Sequence, residues 1–94
     1  MNLHTLRQTP DPKLLASDHQ RALWYDLKGD WDTAHSIVQV MSDVNAMWIH
    51  AYLHRKEGDL GNASYWYRNA GRSMPEISLE EEWEYIAQAL IKKG

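Results

Sequence analysis

Apolar residues recur along this chain with the spacing of the α-helix, and no stretch alternates as a strand would. Ala34, Ile37, Val38 and Met41 stand at i, i+3, i+4 and i+7 and predict a helix over about 31–41. Leu79, Trp83, Ile86 and Leu90 predict a last helix over about 79–92. It opens on a capping box formed by Ser78 and Glu81, has acids in its first turn and ends on Lys92 and Lys93, as the helix dipole prefers. A helix over 18–28 directs Ala22 and Tyr25 inward, with Leu15 just before it also turned toward the core, and two more over 44–57 and 60–72 complete the set. Gly29-Asp30 and Gly58-Asp59 separate partners, because glycine supplies a left-handed helix stop and aspartate caps the next helix. The expected fold is all-α: about five helices in one domain covering 1–94, two antiparallel hairpins and a C-terminal packing helix, with 1–10 a loosely held arm.

The two hairpins look alike. ALWYDLKGDWDTAHSIV from Ala22 and AYLHRKEGDLGNASYWY from Ala51 share Ala, a Gly-Asp seven residues on, and a second Ala, at an offset of 29 residues. This pattern resembles tetratricopeptide repeats: Ala51, Gly58, Ala63, Tyr67, Ala70 and Pro75 fall on the family's positions in one copy, and Ala22, Tyr25, Gly29, Ala34 and Val38 in the other. His54 stands where the family has an aromatic, and the offset is shorter than the family's period of about 34 residues. The chain is also similar to a small family of microbial proteins with the signature WxxAH…WIHAYLHRxEGDxxNAxYWYxxAG, a resemblance that implies no particular activity. The repeat resemblance implies a non-enzymatic interaction module that binds a protein segment or a second copy of itself. Ile49 and Leu53, opposite Met47 and Ala51 on a helix apolar on both sides, would then be covered by dimerisation.

Composition narrows the partners. Ten Lys and Arg against thirteen Asp and Glu leave a formal charge of −3, which gives no general attraction for nucleic acid or an anionic membrane. Arg55, Lys56, Arg68 and Arg72 cluster near Tyr65, but a solvated face accounts for them. No cysteine is present to form disulfides or thiolate sites. The N-terminal stretch lacks the apolar core of a signal peptide, and no apolar run reaches the roughly 20 residues of a membrane span. A cytoplasmic protein without a cofactor is expected. Five Trp and five Tyr with no Phe require a core in which indole N–H and phenol O–H groups find partners.

The candidate chemistry lies with histidine. His50 and His54, one turn apart on one helical face, have the spacing at which two imidazoles meet one metal ion, and His35 on the preceding helix offers a third. The repeat register puts His50 and His54 at core positions, so buried, hydrogen-bonded rings meeting Tyr or Trp donors are the first expectation. The alternative is a small-ligand, metal or catalytic pocket built on His35, His50, His54 and Tyr67, with Arg55 as an anion partner. No HEXXH motif, phosphate loop or nucleophile elbow selects a reaction class.

Overall fold

Residues 2–93 are described by the computed structural model, and every regular element among them is helical. Six α-helices occur: α1 Leu3–Gln8, α2 Asp18–Leu27, α3 Trp31–Val38, α4 Val44–Glu57, α5 Leu60–Asn69 and α6 Leu79–Lys93, with a 3-10 turn at Pro12–Leu14 before α2. Short connections fold α2 against α3 and α4 against α5, and α6 closes over α1, α2 and α4.

The chain's start, expected as an arm, is fastened. Asn2 caps α1 by accepting from the Thr5 N–H, Leu6 is fully enclosed, and Arg7 reaches Glu84 of α6 at 2.6 Å. Trp24 adds an indole N–H to the Thr9 carbonyl. Two helices are shorter than their apolar patterns predict. Helix α3 ends at Val38, where Met41 N–H turns back to the Val38 carbonyl, and α5 ends at Asn69, where Gly71 adopts φ 72° and Arg72 N–H closes onto Tyr67.

The Gly58 turn shows why α4 and α5 pair so closely. At φ 89° its N–H bonds the Arg55 carbonyl, the next N–H reaches His54, and the Asp59 side chain accepts from Asn62 N–H. A Cβ at Gly58 would meet nothing within 4 Å, so Gly58→Ala carries backbone strain without a clash. Its expected cost is about 1 kcal/mol, read as a fall of roughly 4–8 °C in melting temperature.

Helix α4 is the centre of the molecule. Every residue from Trp48 to His54 is buried, so the middle of this helix is enclosed on all sides by α2, α3, α5 and α6. Ile49 and Leu53, expected to offer a face for self-association, are fully enclosed within the single chain, which removes that argument for a dimer.

Candidate metal centre

Of the polar clusters packed against α4, two contain the candidate residues, and they lie on different sides of the helix. The first holds the histidines. His50 and His54 project from one face of α4, and α3, packed across that face, brings His35 between them. The His35 and His50 Nε2 atoms are 3.1 Å apart, and the three rings stand 4.7, 5.2 and 4.8 Å from one another, centre to centre. One ring nitrogen from each residue lies within 4.8 Å of the others.

The surroundings are aromatic. Trp31, one turn before His35 on α3, stacks on it at 4.8 Å, and Trp66 of α5 stacks on His50 at 4.1 Å. The Trp31 indole N–H is fixed on the Leu53 carbonyl, which holds α3 against α4 at the height of the cluster. His54 Nδ1 lies 3.2 Å from a carboxylate oxygen of Glu57, leaving Nε2 as the ring nitrogen able to turn to an ion. Thus the rings meet one another, Trp faces and Glu57, in place of the Tyr hydroxyls and Trp N–H donors expected for them. His50 and His54 are buried and His35 is half-buried, so the cluster approaches solvent on the α3 side.

Burial pushes the His50 imidazole down to about 4, with the neighbouring His35 and His54 adding to the effect. His35 is lowered too, first by burial and then by His54, against the pull of Glu57 and Asp32. Both rings are therefore neutral near pH 7, the form in which imidazole ligates a metal. Nitrogens at about 2.0–2.1 Å from one tetrahedral ion stand about 3.3 Å apart, and the 3.1 Å between His35 and His50 is close to that spacing. The same 3.1 Å also suits a hydrogen bond in which one neutral ring donates and the other accepts.

The other two candidates, Arg55 and Tyr67, belong to the second cluster. Arg55 Nη1 donates to Glu82 at 2.8 Å and Nη2 to the Ile77 carbonyl, while the Tyr67 hydroxyl lies 2.6 and 2.8 Å from the two Glu82 oxygens. Trp48 Nε1 completes the set at 3.3 Å. Glu82, one of the acids in the first turn of α6, is not a solvated helix-start charge: it is 1% exposed. The available signal was its position one turn after Leu79 and one turn before Ile86, on the flank of the α6 apolar stripe. Trp31, Trp66 and Glu57 were also missed around the histidines. Trp31 and Glu57 sit one helical turn from a histidine in the sequence, a spacing that could have pointed to them. No protein-family model, no curated protein and no solved structure matches this chain.

Proposed function

We propose that the protein binds a first-row transition-metal ion of the zinc class through His35, His50 and His54. The observation that carries this reading is the convergence of one ring nitrogen from each of three histidines within 4.8 Å. Two features support it further. The ligands come from separate hairpins, so an ion would tie α3 to α4, and the Glu57 contact resembles the outer carboxylate that orients a ligating imidazole. His35, His50 and His54 would hold the ion through three nitrogens, and a zinc-class ion so held would supply Lewis acidity and a bound water acidified to near neutral pH. The interaction-module reading implied by the repeat resemblance keeps the paired hairpins as its support but loses the apolar face on α4.

Titration of the metal-free protein with Zn²⁺, and with Co²⁺ for its ligand-field absorption, tests the proposal. One ion per chain is expected, with a melting temperature that rises with metal concentration. His35→Ala and His50→Ala should each abolish the cobalt spectrum while remaining folded by circular dichroism. His19→Ala should retain it, because His19 pairs with Asp43 away from the trio. Failure of the wild type to bind saturably, or an unchanged spectrum in folded His35→Ala and His50→Ala, would overturn the assignment.

A further inference from the structure

Beside the Glu82 cluster, a cleft of about 200 Å³ opens between α4, the segment after α5, and α6. Three of its lining residues are aromatic, Trp48, Tyr67 and Tyr85, and its lining includes Glu82 and Arg72. The Arg72 guanidinium carbon stands 3.4 Å from the centre of the Trp48 ring, the distance of a flat cation laid on an aromatic face. Among the described residues Arg72 has no ion pair and no side-chain hydrogen bond, so the Trp48 face is the polar partner its guanidinium has. Its backbone is anchored separately, through the N–H that caps α5 on the Tyr67 carbonyl. Glu82, which lines the same cleft, forms a close pair with Arg55, so the two charges offset one another.

From this geometry we infer that the cleft is a guanidinium-binding site in which Arg72 stands in for the ligand. A planar cation from outside takes the Trp48 face by displacing the exposed Arg72 side chain, and Tyr85 at the mouth supplies a second ring. The rest of the ligand occupies the cleft. Planarity favours guanidinium over a tetrahedral ammonium, because a flat group covers the indole with every N–H directed outward to acceptors. The two arginines already here, one on the ring and one on the Glu82 carboxylate, show that the surroundings accept this group in both of its binding modes. Removing Arg72 leaves the electron-rich ring faces without their own cation, so the variant lacking it should bind the ligand more tightly than the wild type.

The test uses N-acetyl-arginine amide as probe and its uncharged isostere N-acetyl-citrulline amide as control, with binding followed at the assigned Trp48 indole N–H signal by NMR. Arg72→Ala, whose substitution is on an exposed residue, is expected to show a saturable shift with the arginine probe and none with citrulline. The wild type should bind about tenfold more weakly, the scale of one partly desolvated cation–π contact. In the Arg72→Ala background, Tyr85→Ala should remove most of the binding, and with Tyr85 66% exposed the protein should stay folded by circular dichroism. Absence of a saturable shift in folded Arg72→Ala, an equal response to citrulline, or indifference to Tyr85→Ala would overturn the inference.

Discussion

Replacing Glu82 with alanine is expected to destabilise the protein by about 3–5 kcal/mol, the usual consequence of removing one partner from a buried ion pair. The carboxylate is 1% exposed and receives Arg55, the Tyr67 hydroxyl and the Trp48 indole N–H. Its removal strands a guanidinium whose side chain is 15% exposed, together with two neutral donors, inside the contact between α4, α5 and α6. The Tyr67 hydroxyl is held in its protonated, donating form: its pKa is raised, first by burial and then by the hydrogen bond to Glu82 and the carboxylate's charge. A second substitution separates pairing from packing. The double variant Arg55→Met with Glu82→Leu exchanges the pair for apolar volume and should recover much of the loss, since such exchanges are often neutral. Urea denaturation of the wild type, Glu82→Ala and the double variant provides the measurement. A Glu82→Ala variant within 1 kcal/mol of the wild type would show that the cluster is not structural.

Acidification of the metal-free protein should be nearly as costly. An ordinary histidine takes up its proton at about pH 6.5, whereas His50 in the fold is held down to about 4 by burial and by His35 and His54. The unfolded chain therefore binds the proton first as the pH falls. Stability from this residue is fully present above about 6.5, is lost progressively between 6.5 and 4, and the loss amounts to about 3 kcal/mol. His35, also lowered, adds a contribution of the same sign, moderated by Glu57 and Asp32. Denaturation midpoints measured with a chelator at pH 7, 6, 5 and 4 should fall along this window, and His50→Gln should flatten the slope. A wild-type profile already flat from 7 to 4 would contradict the picture of neutral, enclosed imidazoles.

What could be read from the sequence was mostly local. Gly58-Asp59 and Ser78 with Glu81 are self-contained end signals, and the structure makes the hydrogen bonds they imply. His50 and His54 share a face because helical geometry alone puts them there. Their meeting with His35 depends on how α3 crosses α4, which spacing suggests but does not determine. Arg55 and Tyr67 show the converse: near the histidines in sequence, they turn to Glu82 on α6, a partner set by tertiary packing. Leu3 and Leu6 were too few to declare α1, whose order comes from the buried Leu6 and from contacts with α2 and α6 far along the chain.

The lack of phenylalanine has a consequence for how uniquely the helices are aligned. Indole N–H groups join α2 to the end of α1 through Trp24 and Thr9, α3 to α4 through Trp31 and Leu53, α4 to α6 through Trp48 and Glu82, and α6 to α2 through Trp83 and Leu23. Apolar surfaces can slide past one another by a helical turn and still bury comparable area. A directed N–H bond cannot, because a displacement of about 5.4 Å breaks it outright. These four pins reject slipped alignments that a phenylalanine core of equal volume would tolerate, so Trp→Phe exchange in this molecule would preserve bulk while surrendering the helices' common register.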